Sequence, residues 1–537
     1  MRAPRYLLKV ALVVMTLCVA VSSAMGITVT SANDSGSGSF REAIQASAPN
    51  GTIDFSPSLN GSTILLSSSL TNARNVTING PGATNLTISG NDVTRVFVIV
   101  TNALSPNTTV NISGLTISNG RVAGTNGADG TSGAPTGLPG GNAQGGGIFN
   151  DGTLTLFECV IQNCSASGGF GGRGYSSGGN GGNGGNASGG GLANRGTMIL
   201  MHCTIHNNSA TGGSGGGFLS GIDSSGSAGF GEGGGIVNWS TLLVTNCTFN
   251  ANSATGAAGG VSASFLGSYN GLAGGPARGG AVDNQGTLFV KSCTIAGNSA
   301  NGGSGGNAAS ASRSGGTGGN ATGGAINQAG AATLRNTIVA NNTTSAGAGG
   351  HGDSGANNGV AGTGTGPDLA GTVTSQGFNL ISQVAGSSGW IVTDLLDVEP
   401  LLGPLQDNGG PTPTRAPQAG SAAIDNGIKG GVLTDQRGFA RTVDLPGYTA
   451  QLGADNTDIG AVELQSPPPV VLDIGLRVYD GTAIVKIACV ADSASTPLRI
   501  AKNGVTYGIL LVATNSTDAS KFRVTTSSGI KAWQKLP

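Results

Sequence analysis

The sequence predicts an all-β protein: a right-handed parallel β-helix, that is, a solenoid of stacked coils, with Gly-rich loop insertions and a small C-terminal β module. Three observations predict it. A unit of about 22 residues recurs five times, opening at Gly145, Gly189, Gly233, Gly279 and Gly323. Cys159, Cys203, Cys247 and Cys293 each stand nine residues after Asn150, Asn194, Asn238 and Asn284, and Asn336 stands nine after Asn327 in the fifth copy. The column spacings are 44, 44, 46 and 43, and Leu115 lies 44 before Cys159. Within each copy apolar residues alternate at the two-residue period of a strand, and a period that steady marks a repeat architecture.

In chain order, residues 1–24 read as an export signal: Arg2, Arg5 and Lys9, an apolar run from Ala11 to Val21, and the small-residue site Ser22-Ser23-Ala24. Their removal leaves 22 basic and 26 acidic residues, a net charge of −4. No later segment is apolar for about 18 residues, so no membrane span is expected after signal removal. The product is expected to be secreted or associated with the cell surface or outer membrane. A near-neutral chain, 9% charged, argues against nucleic acid as a partner.

Residues 25–74 are expected to form an N-terminal cap and first coil, and 75–400 the β-helix. Upstream stretches such as Asn75-Val76-Thr77-Ile78 and Leu86-Thr87-Ile88 read as less decorated coils. In the repeats, Leu154, Leu156, Cys159 and Ile161 fall on one face, matched by Met198, Leu200, Cys203 and Ile205 in the next copy. Burying four or five such side chains stabilises a coil by roughly 6–15 kcal/mol. Ordering its backbone and side chains costs on the order of 20–40 kcal/mol, so no coil folds alone. Stacking supplies the difference through ladders on both edges, and parallel crossovers are right-handed. Asn208, Asn252, Asn298 and Asn341, with Cys164 in the first copy, are expected at a turn, where asparagine can bond from coil to coil and accept a left-handed backbone.

Six cysteines remain after signal removal, compatible with bridges in an exported protein. Four of them share one column, stacked about 4.8 Å apart, a spacing that suits buried thiols better. Cys159 with Cys164 is the local pair to consider as a disulfide. The insertions, such as residues 178–191 and 211–233, carry too few apolar residues for a second core. They are either a flexible fringe or extended Gly-rich strands packed by close backbone approach. Residues 401–465 read as a loop-rich C-terminal cap and 466–470 as a proline linker. The last segment, 471–537, is a small β domain with turns at Asp480-Gly481 and Asn503-Gly504, either an attachment or sorting tag or a further cap.

Three stretches resemble exported β-helix proteins. Gly323-Gly324-Ala325-Ile326 and Phe249 to Asn252 resemble the GGAI and FxxN repeats of polymorphic outer membrane proteins. Ile27 to Ala46 resembles the CSLREAI segment, with Gly38 and Phe40 in place of its Cys and Leu. Gly377-Phe378-Asn379-Leu380-Ile381, Gln406-Asp407-Asn408-Gly409-Gly410-Pro411, Asp435-Gln436-Arg437-Gly438 and Asp458-Ile459-Gly460-Ala461 resemble the choice-of-anchor Q domain. The resemblance implies a pectin-lyase-like solenoid at the cell surface and says little about activity. The membrane β-barrel of polymorphic outer membrane proteins has no counterpart in residues 464–537, which are too few for one.

Such solenoids include polysaccharide lyases and glycosidases, so catalysis must be read from residues. Between Asn75 and Thr344 the acidic residues are Asp92, Asp129, Asp151, Glu158, Asp223, Glu232 and Asp283, none stacked on another. Glu158 is expected in a column with His202, Asn246, Ser292 and Arg335, as an outer-wall ion pair with His202. The acid-rich stretch from Asp394 to Glu463 could hold calcium or form Asx turns. His202, His206 and His351 are too scattered for zinc. No catalytic residue, cofactor or metal is assigned. The expected function is non-catalytic: adhesion, surface structure, or binding of extracellular polysaccharide or cell-surface components. The alternative is a carbohydrate-active enzyme.

Overall fold

The computed structural model describes residues 26–101, 107–175, 179–217, 225–260, 270–308, 313–353 and 357–465, and the strands of the C-terminal module. The predicted export signal and linker lie outside the described residues. Period-two alternation becomes three core strands per coil, as in Ile148–Asn150, Thr153–Phe157 and Val160–Gln162. Each strand pairs in parallel with its equivalents one coil before and after, in sheets of nine, ten and ten strands respectively. The result is a right-handed parallel β-helix. Its first coils are the upstream stretches: Gly51–Phe55, Val76–Asn79 and Thr109–Ser113 continue into Thr153–Phe157 in register. Leu154, Leu156, Cys159 and Ile161 and their equivalents are fully buried in one continuous core.

Two corners of each coil share one construction, a left-handed residue followed by an inward one. Glu158, His202, Asn246, Ser292 and Asn336 have φ of 50–56°. The residues after them, Cys159, Cys203, Cys247, Cys293 and Thr337, point inward, and the Cys293 amide donates to Thr337 Oγ1 (3.4 Å). Asn336 therefore belongs to the left-handed column, where Arg335 was expected, and Thr337 completes the cysteine column. At the next corner Asn163, Asn207, Ala251, Gly297 and Asn341 are left-handed. Behind them Asn208, Asn252, Asn298 and Asn342 form a buried amide ladder with 2.9 Å bonds between neighbours. Asn341 is thus the corner residue and Asn342 the rung. The third ladder runs Asn150, Asn194, Asn238, Asn284, with bonds of 2.7–2.8 Å, and ends on Gln328, so Asn327 is not a rung but faces outward. All three corrections are the same one-residue slip in the fifth coil, and in a strand one residue moves a side chain to the opposite face.

An amide ladder passes each donor to the next acceptor, so its last member need only accept. Asn342 donates to Asp368 Oδ1 (3.0 Å), and the column after Thr337 runs through Asn379 to Asp394 Oδ1 (2.9 Å). A carboxylate is an acceptor-only terminus. Cys159, Cys164, Cys203, Cys247 and Cys293 are buried free thiols, so no Cys159–Cys164 bridge forms. Burial pushes the Cys159 and Cys247 thiols up and Cys164 up to about 12.

The described residues of the Gly-rich insertions form a second layer. Each leaves after strands such as Ser165–Ser167 and returns at Ala187–Ser188. Their backbone bonds repeat every third residue. Gly124, Gly127 and Gly130 donate to the carbonyls of Ser167, Phe170 and Arg173 on the next coil. Gly169 and Gly172 donate to Gly141 and Leu138 on the opposite limb of the preceding coil. The amides of Phe170 and Arg173 are met by the side chains of Asn126 and Asp129. Each limb is therefore three-sided with three residues per turn, the polyproline II geometry, which forms no bonds within itself. Glycine is required because a Cβ on Gly172 would land on the Ala128 carbonyl. Of the two readings of the insertions, packed extended limbs is the one observed in the described residues.

At the N-terminal end the helix Phe40–Ala46 is capped by Ser39, whose Oγ accepts from the Glu42 amide, while Glu42 accepts from the amide of Gly38 just before the cap. Phe40 closes the core against Phe55 and Phe97. At the other end, residues 401–464 have few strand pairings and run back beside the solenoid. Gly460 donates to Asn336 O, Arg441 to Asn246 Oδ1 (2.9 Å), and Gln436 to Cys203 O (3.1 Å). Residues 465–537 form a separate unit of antiparallel pairs, Leu498–Lys502 with Val505–Ile509 and Lys521–Thr526 with Gly529–Gln534. Both dipeptide turns predicted there lie outside the described residues. Among the described residues no helix is long and apolar enough to cross a membrane.

Candidate functional site

Three outward columns meet beside the stem of the glycine layer. The middle residues of one sheet are Phe149, Ala193, Val237, Asp283 and Asn327. Arg195, Trp239, Gln285 and Ala329 each follow a rung of the adjoining amide ladder. From the insertion stem come Gln144, Ser188, Glu232, Arg278 and Thr322. Where the middle column changes from apolar to polar, a groove of about 690 Å³ opens, lined by Phe230, Glu232, Trp239, Arg278, Asp283 and Gln285 among others.

Asp283 is completely buried, accepting from Asn327 Nδ2 (2.6 Å) and Gln285 Nε2 (2.9 Å). Burial pushes its carboxyl up to about 6, against the pull of those two amides, and the Glu232 charge adds to the rise. Glu232 accepts from Arg278 (2.9 Å) and Ser188 Oγ (3.2 Å). Arg278 also stacks over Phe230 (5.2 Å), and Arg195 lies over Trp239 (5.4 Å) without lining the groove. Both guanidiniums are thus held in place, and two carboxylates face one cavity.

Of the residues singled out from sequence, Glu232, Asp283 and Asn327 line the groove, and the others lie elsewhere. The cysteine column and the rungs Asn150, Asn194, Asn238, Asn284, Asn208, Asn252 and Asn298 are buried core and corners. His202 does not form the expected ion pair with Glu158. Its ring packs against Phe157 (5.4 Å between centroids) and its Nδ1 lies 3.1 Å from Gln436 O, because residues 401–464 cover that corner. The acid-rich segment uses its carboxylates on backbone amides: Asp458 accepts from Asp425 N and Leu464 N, Glu463 from Val443 N and Asp458 N, and Asp435 from Phe439 N and Glu463 N. Among the described residues no group of three or more His, Cys, Asp or Glu is placed to hold a metal.

No protein-family model and no curated protein matches this chain. The resemblances in the repeats, the Phe40 segment and residues 377–463 therefore rest on their quoted motifs. The groove itself carried a usable sequence signal. Trp239 follows the ladder residue Asn238 by one and Asp283 precedes Asn284 by one, while Glu232 and Arg278 are 46 apart, the spacing between those coils. Placing every residue relative to the asparagine ladder brings the four together.

One pH effect follows from the covered corner. Burial pushes Glu463 up to about 7, beside buried Arg441 at 3.6 Å. A carboxylate whose folded pKa exceeds its unfolded value contributes stability that is complete below the unfolded pKa, about 4.3, and lost as pH rises through the folded one. Thermal unfolding is expected at a lower midpoint at pH 8.5 than at pH 6.5, and Glu463→Gln is expected to flatten that slope. Burial lowers His206, which adds stability as pH rises and so opposes this slope at its low-pH edge. A midpoint that is flat or rises in the native protein removes the assignment.

Proposed function

We propose that the protein is exported and acts without catalysis, as a secreted or cell-surface β-helix whose long repetitive surface serves adhesion, surface structure or the binding of an extracellular polymer. The observation that carries this reading is the glycine layer. Six insertions pair backbone to backbone along the solenoid, and their third positions are polar and neutral in the main, such as Asn126, Asn183, Asn186 and Asn307. Insertions used this way enlarge an ordered surface. The second reading, a polysaccharide lyase or glycoside hydrolase, is favoured by Glu232 and Asp283 facing one groove.

The test is to fractionate cells carrying the full chain or one lacking residues 467–537, to sequence the N-terminus, and to assay polysaccharides for new reducing ends or unsaturated products. Export with Met25 as first residue, polymer or cell binding, and no product formation are expected. Retention in the cytoplasm with residues 1–24 intact overturns export. Turnover abolished by Glu232→Gln or Asp283→Asn replaces the first reading by the second.

A further inference from the structure

We propose that the groove beside Trp239 is a binding site for an uncharged glycan chain, with the indole as stacking platform and Glu232 and Gln285 as hydrogen-bond acceptors for sugar hydroxyls. The inference rests on the polymer-binding reading above and gives it a place and a ligand class.

The geometry excludes other ligand classes step by step. Arg195 covers one face of the Trp239 indole from outside the groove, so the ring is held rigid and a face remains for a ligand. A flat apolar face backed by polar groups suits a sugar ring, which has an apolar face and a rim of hydroxyls. The rim would meet acceptors. Gln285 and Asn327 direct amide protons at Asp283, which turns their carbonyl oxygens to other partners. Each oxygen of Glu232 takes one donor in the bonds above, and a carboxylate oxygen can accept a second. The lining is therefore rich in acceptors, and a ligand must bring donors.

Charge narrows the class further. Arg278 is the groove's guanidinium, and it is already neutralised by Glu232 and stacked on Phe230. Uronate or sulfated chains would approach two carboxylates with no free cation to receive them. Asp283 lies too deep to serve as a surface counter-ion for an amino sugar, because it is fully buried under its amide partners.

The test uses the full mature chain with gluco-, manno- and xylo-oligosaccharides, oligogalacturonates and glucosamine oligomers, followed by calorimetry and tryptophan fluorescence. Neutral oligomers are expected to bind. Trp239→Ala is expected to weaken them at least about tenfold with a thermal midpoint near that of the native protein, and Gln285→Ala several-fold with a lower midpoint, since it also removes one of the two side-chain donors to buried Asp283. Should Trp239→Ala disturb folding, Trp239→Leu, which keeps the apolar bulk and loses the flat face, reads the same loss. Neutral glycans bound equally by native protein and both groove variants overturn the groove while leaving polymer binding intact. Binding confined to uronates or glucosamine oligomers overturns the ligand class. No binding of any of the three overturns the inference together with the glycan arm of the proposed function.

Discussion

Replacing Asn252 by leucine is expected to cost on the order of 3–6 kcal/mol, although the two side chains are close in volume. Asn252 is fully buried. Its Oδ1 accepts from the Asn208 amide (3.1 Å) and from Asn208 Nδ2 (2.9 Å), and its Nδ2 donates to Ile205 O and Asn298 Oδ1, both at 2.9 Å. Leucine leaves a backbone amide, a side-chain proton and a carbonyl without partners in a region that water does not reach, and each costs about 1–3 kcal/mol. One residue earlier the sign reverses. Ala251 holds φ at 54°, so Ala251→Gly relieves a left-handed strain and is expected to stabilise by about 1 kcal/mol. Urea unfolding of both variants measures the pair. A leucine variant within 1 kcal/mol of the native protein would falsify the claim that the ladder is a satisfied, water-free network.

That adjacency explains both what the sequence disclosed and what it concealed. The inward face was legible because Leu154, Leu156, Cys159 and Ile161 differ in polarity from their neighbours, and polarity is what period-two alternation displays. The corners were not, because asparagine suits both places. It can bond across coils as a rung and it tolerates the left-handed backbone, so Asn341-Asn342 and Asn327-Gln328 read equally well in either register. Counting 44 residues from Gly279 to Gly323, both left-handed glycines, decides the register where residue type does not.

The glycine layer was concealed for a different reason. Its limbs have almost no apolar side chains, so no hydrophobic period exists to find. The signal is a local three-residue glycine period, as at Gly124, Gly127 and Gly130. The groove was concealed because its members come from three columns, two of them one residue away from a ladder. In both cases what matters is which residues stack, a property of register, and composition carries register only where it alternates.

The layer and the β-helix are expected to differ in how firmly they are held, and Gly172→Val separates them. Gly172 donates to Leu138 O and accepts from Gly182 N, both at 2.8 Å, and a Cβ there would meet the Ala128 carbonyl. Three limbs converge on this one residue, and valine cannot occupy it without pushing a backbone aside. The layer has little in reserve. Glycine loses more conformational freedom on ordering than any other residue, and each backbone bond returns only about 1 kcal/mol net. Its order depends on the strand stems, which the β-helix holds in place. Amide exchange in 168–175 and 179–185 is therefore expected to accelerate at least about tenfold. Cooperative melting of the β-helix should stay within about 1 kcal/mol of the native value, because no apolar core contact changes. If the main melting transition falls by several kcal/mol instead, the two layers are one cooperative unit. If exchange is unchanged, the three-residue pairing is not what orders the insertions.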